Sequence, residues 1–158
     1  MNTVVIDASV AVKWVVEEDG TSEALMLRRR ARLIAPELLV AECANILWKK
    51  VQRDELSNDE AFLAARLLQA ADIEFVSSRS LLETATRLAI ELDHPVYDCL
   101  YLALAVDRDC RFATADERFV RKVGERSGRP LRGAVIGLAQ AARQSTKIVR
   151  SERLSRPG

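Results

Sequence analysis

Short apolar runs rich in β-branched residues alternate along this chain with longer segments of helical period. Thr3–Ile6 is such a run, ending at Asp7, and has the composition of a buried parallel strand. Ala8–Val16 reads as a short helix. A polar loop over Glu17–Ser22 follows, with Ser22 placed to cap a helix running to about Ala31. The basic cluster Arg28, Arg29, Arg30 and Arg32 suits the negative C-terminal end of that helix. Leu33–Ala35 is a second strand, Pro36 fits a first helical turn, and a long helix runs from Glu37 to about Arg53. Two S-x-x-E capping boxes, Ser57 to Glu60 and Ser80 to Glu83, open helices reaching about Ala71 and Leu92, with Ile73–Val76 as a third strand between them. His94-Pro95 breaks the second of these, and Val96–Val106 forms a very apolar helix. Arg111–Ala115 is a fourth strand ending at Asp116. Helix Glu117–Glu125, a turn at Ser127–Pro130, an edge strand at Gly133–Ile136 and a short helix over Leu138–Arg143 complete the pattern. Strands alternating with helices predict an α/β fold, a parallel sheet covered on both faces.

Four acids interrupt these apolar segments: Asp7 in V-V-I-D-A-S-V, Glu42 in L-L-V-A-E-C-A-N-I-L, Asp98 in P-V-Y-D-C-L-Y-L-A-L-A and Asp116 in F-A-T-A-D-E-R-F. Asp7 and Asp116 each end a predicted strand and precede a helix. That is the position of an ordinary N-cap, and also the carboxyl edge where open α/β sheets hold ligands. Glu42 lies four residues after Leu38 and four before Ile46, within the apolar stripe of its helix. Asp98 is the only charge between Val96 and Val106, and its first-turn position favours the helix dipole. Gathered at one sheet edge, four carboxylates repel one another, and a hard divalent cation, Mg²⁺ or Mn²⁺, is the simplest remedy. Metal-assisted phosphodiester chemistry is the reading this favours.

Composition narrows the picture. With 158 residues the chain is long enough for one domain with a proper core, placed here at 1–143. The segment 144–158 holds Lys147, Arg150, Arg153 and Arg156 against Glu152 and is expected to be a mobile basic tail. A net charge of +1 argues against a polybasic binder, and 5% aromatic content against base-stacking platforms. Cys43, Cys99 and Cys110 are odd in number and sit in or beside apolar stretches, as buried thiols of a reducing compartment do. No apolar run reaches membrane-spanning length and no signal-like start is present, so a cytoplasmic location with no membrane partner is expected.

Several site types are excluded. There is no G-x-x-x-x-G-K-[ST] and no G-x-G-x-x-G. His94 is the only histidine, which removes a two-imidazole nuclease; beside Pro95 it reads as a turn residue. A zinc site from His94, Cys99 and Cys43 matches no usual spacing.

The four acidic segments, in this order and spacing over about Thr3–Phe119, resemble the PIN domain, specifically the VapC-type toxins of prokaryotic toxin–antitoxin modules. The resemblance implies a three-layer fold with a five-stranded parallel sheet in the order 3-2-1-4-5, bringing Asp7 and Asp116 together at the switch point. It implies Asp7, Glu42, Asp98 and Asp116 as catalytic acids, with Asp7, Asp98 and Asp116 on Mg²⁺ or Mn²⁺. Thr114 and Ser9 are implied as polar helpers. It further implies hydrolysis of RNA, a homodimer and a VapB-type antitoxin. Leu25, Leu27, Leu39, Leu47 and Trp48 offer an apolar surface for an amphipathic partner helix. Lys13, Arg79, Arg111, Arg118, Arg121 and Lys122 are candidate phosphate contacts. The rival readings are an inactive PIN-like scaffold, a Mg²⁺-binding α/β signalling domain, and a nuclease of structured or flapped DNA, which usually carries extra acids and longer insertions that this chain lacks. The signalling domain needs an acid after the third strand, where Ser77-Ser78-Arg79 stands instead.

Overall fold

The computed structural model describes residues 1–126 and 131–145. Five parallel strands form one sheet in the order β3-β2-β1-β4-β5: β1 (Asn2–Ile6), β2 (Ala31–Pro36), β3 (Glu74–Val76), β4 (Arg111–Thr114) and β5 (Val135–Gly137). This is the fold class and strand order expected for a PIN-like domain. β1 is central, pairing Val4 with Leu33 on one side and Val5 with Phe112 on the other. The chain steps outward from β1 to β3, then returns across the sheet to β4 and β5. Right-handed crossovers therefore place the helices that link β1 to β3 on one face and those that link β3 to β5 on the other.

The first half carries α1 (Ala8–Ala11), continued as a 3₁₀ turn over Val12–Trp14, then α2 (Thr21–Arg30), α3 (Leu38–Gln52) and α4 (Asn58–Gln69). The second half carries a 3₁₀ turn at Ser78–Leu81, then α5 (Leu82–Leu92), α6 (Val96–Asp107) and α7 (Glu117–Arg126), with a last helix, α8, over 138–145. α6 buries Cys99, Tyr101, Leu102, Ala103, Leu104 and Ala105, as a helix apolar on all sides must. Tyr101 stacks on Phe112 of β4 with ring centroids 5.4 Å apart, and Phe112 meets Phe119 of α7 at 6.1 Å. These rings tie the second-half helices to the sheet directly behind its carboxyl edge.

Three helix starts differ from expectation, one because the backbone turns earlier and two because a nearby group takes the hydrogen bond. Ser22 is not a cap: Gly20 takes that place with φ +87°, and Thr21 closes the preceding loop by accepting from the Glu18 N–H at 3.0 Å. Pro36 ends β2 rather than starting a helix; the Glu37 N–H bonds the Val76 carbonyl at 3.0 Å, so the strand pairing runs one residue further and α3 begins at Leu38. Ser80 spends its hydroxyl on the Ser77 carbonyl at 2.8 Å inside the 3₁₀ turn, and α5 opens without a side-chain cap. Ser57 does cap α4, accepting from the Glu60 N–H at 3.1 Å. The predicted turn at Ser127–Pro130 and nearly all of the basic tail, from residue 146 onward, lie outside the described residues; Gln144 and Ser145 are helical.

The expected partner-helix residues also divide. Leu27, Leu39 and Leu47 are core residues and Leu25 is half-buried, leaving only Trp48 exposed. The exposed apolar side chains of this region are instead Val40 and Trp48 on α3, Phe62, Leu63 and Leu67 on α4, and Phe75 on β3.

Gly20 offers a direct test of the loop before α2. An added Cβ would stand 3.3 Å from Leu138 Cδ2 and would force a side chain into the left-handed region. Gly20→Ala is expected to cost about 1–2 kcal/mol in urea unfolding; unchanged stability would show that the loop re-forms freely.

Candidate active site at the carboxyl edge of the sheet

Asp7 leaves β1 in an extended conformation and caps α1, its Oδ1 accepting from the Val10 N–H at 3.3 Å. It is only 7% exposed. Ser9 donates its hydroxyl to Oδ1 at 2.5 Å, and Thr114 donates to Oδ2 at 2.5 Å from the end of β4. Each helper is in turn fixed by the β4–α7 corner: Ser9 Oγ accepts from the Ala115 N–H and Thr114 Oγ1 from the Asp116 N–H, both at 3.1 Å. Two hydroxyls thus lock the ends of the adjacent strands β1 and β4 around one carboxylate.

Burial pushes the Asp7 carboxyl up to about 6, with the nearby Asp98 charge adding to it, and the Ser9, Thr114 and Val10 donors pull only partly the other way. Glu42 is half-buried on α3, and burial together with the Asp98 charge raises it as well. Its Oε1 accepts from the hydroxyl of Tyr101, which opposes that rise. Burial and the same Glu42 bond push the Tyr101 hydroxyl far up, so it stays a donor. Cys43, next to Glu42, is raised to about 12 by burial and by the Glu42 and Asp7 charges, which leaves it an inert thiol.

Asp98 lies in the first turn of α6, its carboxylate one-third exposed, with Oδ2 2.7 Å from His94 Nε2. Asp7, Glu42 and Asp98 therefore share one electrostatic neighbourhood. Asp116 caps α7, its Oδ1 accepting from the Arg118 and Phe119 N–H groups at 3.0 and 3.2 Å, while its own N–H bonds the Thr114 hydroxyl that holds Asp7. Among the described residues no Lys or Arg forms an ion pair with Asp7, Glu42 or Asp116. Nor do any three His, Cys, Asp or Glu side chains, as they stand, enclose a metal ion among those residues.

Of the candidate cations, Lys13 is spent on Glu18 at 3.1 Å and Lys122 on the Asp93 carbonyl at 2.6 Å, while Arg111 donates to Gln144. Arg79, Arg118 and Arg121 are exposed. Two site residues escaped the sequence reading, His94 as a supposed turn residue and Tyr101 as part of the apolar stripe. The signal for both was helical spacing: they stand four before and three after Asp98.

The family profile described as PIN domain matches residues 4–125. The chain is 30% identical over 124 residues to Ribonuclease VapC3 of Pyrobaculum aerophilum, covering 75% of this chain and 92% of that protein. It is equally 30% identical over 126 residues to Ribonuclease VapC1 of Mycobacterium tuberculosis, covering 78% and 93%. The crystal structure of PAE2754 from Pyrobaculum aerophilum shares the fold, with a TM-score of 0.68 and 18% identity over 92% of this chain and 90% of that one. The chain belongs to the PIN-domain family, in its VapC-type branch. No helix among the described residues is long and apolar enough to cross a membrane.

The Asp7 shift fixes a pH dependence. The folded chain keeps a proton on Asp7 up to about pH 6, whereas the unfolded chain releases it near ~3.9. The folded state therefore binds more protons between those values, and stability is greatest below the lower one and declines as pH rises through the upper. In EDTA, urea unfolding should show wild type losing on the order of 2–3 kcal/mol relative to Asp7→Asn from about pH 4 to about pH 7. A difference that stays flat across this window would show Asp7 titrating as an ordinary surface acid.

Proposed function

We propose that this chain is a Mg²⁺- or Mn²⁺-dependent endoribonuclease and the toxin of a toxin–antitoxin pair. The observation that carries the reading is the gathering of Asp7, Glu42 and Asp98 at the carboxyl edge of a parallel sheet with two of the three pushed up by burial and mutual charge. The names of its relatives, Ribonuclease VapC3 and Ribonuclease VapC1, supply the substrate class.

The donor set fits a hard divalent cation. All its atoms are carboxylate oxygens, and Glu42 Oε2 and Asp98 Oδ1 accept no hydrogen bond among the described residues. Asp7, Asp98 and Asp116 would hold the ion, directly or through water. When bound, such an ion offsets charge on the phosphate and acidifies water close to it.

The chain's own groups do the rest. Ser9 and Thr114 keep the Asp7 carboxylate fixed and hydrogen-bonded while it is charged. Glu42, held by Tyr101, orients the attacking water and receives its proton, for which a raised carboxyl is suited. In-line attack by water leaves a 5′-phosphate and a 3′-hydroxyl and needs neither the RNA 2′-hydroxyl nor a histidine pair. Arg79, Arg118 and Arg121 are the exposed cations on offer to the RNA backbone.

The antitoxin would lie in the apolar groove between α3, α4 and β3, about 410 Å³ and lined by Leu39, Val40, Leu47, Leu68, Ile73 and Phe75. Its rim is exposed at Val40 and Phe75, as a partner helix with an apolar stripe requires. A homodimer is part of the same proposal.

Asp7→Asn and Asp98→Asn should each lower cleavage of a fluorogenic RNA roughly a hundredfold or more, with the circular dichroism spectrum kept. EDTA should stop wild-type cleavage and added Mn²⁺ restore it. Full activity of both variants, free of contaminating nuclease, would remove these acids from the reaction.

A further inference from the structure

Resting on the metal-site reading above, we propose that His94 is a positioning residue, clamped by Lys122 and Phe119 so that its Nε2–H holds the Asp98 carboxylate in its place among the acids.

Both ring nitrogens and one face of the imidazole are engaged. Nε2 lies 2.7 Å from Asp98 Oδ2, and Nδ1 lies 3.3 Å from Lys122 Nζ. An ammonium can only donate, so Nδ1 is the acceptor and the proton sits on Nε2, aimed at Asp98. Lys122 is itself anchored on the Asp93 carbonyl at 2.6 Å. The ring face packs on Phe119 at 4.7 Å, and Phe119 is a core residue. The backbone is equally constrained: the His94 N–H bonds the Ala89 carbonyl at 3.0 Å, Asp93 before it turns at φ +49°, and Pro95 follows. The residue that breaks α5 thereby lands one helical turn ahead of Asp98.

Asp98 needs such a clamp. Its carboxylate is one-third exposed at the mouth of the site, and it is the acid whose charge both Asp7 and Glu42 feel. Asp7 has two hydroxyls and Glu42 has Tyr101, whereas the imidazole is the only side-chain donor to Asp98 among the described residues. Fixing Oδ2 leaves Oδ1 for a ligand. Carboxylates that bind metals are commonly oriented through one hydrogen-bonded oxygen in this way.

Because His94 is the sole histidine, its ring nitrogens can be read in a ¹⁵N spectrum without assignment. The metal-free full chain under mildly alkaline conditions should show the Nε2–H tautomer, and both Asp98→Asn and Lys122→Ala should shift the ring signals. An Nδ1–H tautomer, or a ring indifferent to both substitutions, overturns the proposal. Calorimetric titration with Mn²⁺ gives the second readout. His94→Leu should weaken binding roughly 10- to 100-fold, while His94→Gln, which keeps a donor near the Nε2 position, should recover most of the affinity. In the Asp98→Asn background, His94→Leu should cost little more. Unaltered affinity in a folded His94→Leu chain, or an equal loss with and without Asp98, would refute the positioning role. If the unaltered chain binds no Mn²⁺, the metal reading of the site fails, and the ring spectrum still decides the His94 clamp.

Discussion

The structure depends on a buried carboxylate that two hydroxyls make tolerable. Asp7 sits at the end of the central strand, nearly out of solvent, where an unpartnered charge would be costly. Ser9 and Thr114 each donate to one of its oxygens, and each accepts from the backbone where β4 turns into α7. The contact is structural and chemical together. It joins the two strands that meet where the strand order reverses, and it leaves an acid with a raised affinity for protons at the place an open α/β sheet offers to ligands. The remaining acids are arrayed around that anchor by helices: Glu42 by α3, Asp98 by α6, and Asp116, through the Thr114 hydroxyl, by the start of α7.

Much of this was legible in the residues because the informative positions break strong local patterns. A carboxylate that ends the run V-V-I, or that stands between Leu38 and Ile46, contradicts its surroundings, and the structure places both at the same edge. The strands were equally readable, since β-branched runs buried on both faces have few other uses. Helix starts were harder. Ser22, Pro36 and Ser80 each satisfy a local rule, but a left-handed turn at Gly20 starts α2 earlier, and the Val76 and Ser77 carbonyls take up groups at the other two, across turns that spacing alone does not reveal. Ser57 behaved as its spacing implied because nothing nearby competes for its oxygen.

The site shows the same division. Acid identity is a property of sequence, whereas the partner of each acid is a property of packing. Thr114 is 107 residues from Asp7 and Tyr101 is 59 from Glu42, distances over which periodicity carries no information. His94 is a sharper case, since it lies only four residues from Asp98. Its neighbour Pro95 advertises a break, and the break hides the fact that the residue before it faces the helix that follows. The apolar surface divides for a related reason: Leu27, Leu39 and Leu47 have the right periodicity for a partner but are almost fully buried, and on α3 the exposure falls one position further along, at Val40 and Trp48.

The separation between Asp7 and Thr114 has a consequence for biosynthesis. One of the two donors that make the Asp7 site tolerable is supplied by β4, which leaves the ribosome only after most of the chain has been made. Until then β1 can pair with β2 and carry the first-half helices, but Asp7 lacks the hydroxyl on its Oδ2. A growing polypeptide therefore completes this buried contact, and with it the switch point of the sheet, only once its fourth strand is available to pair.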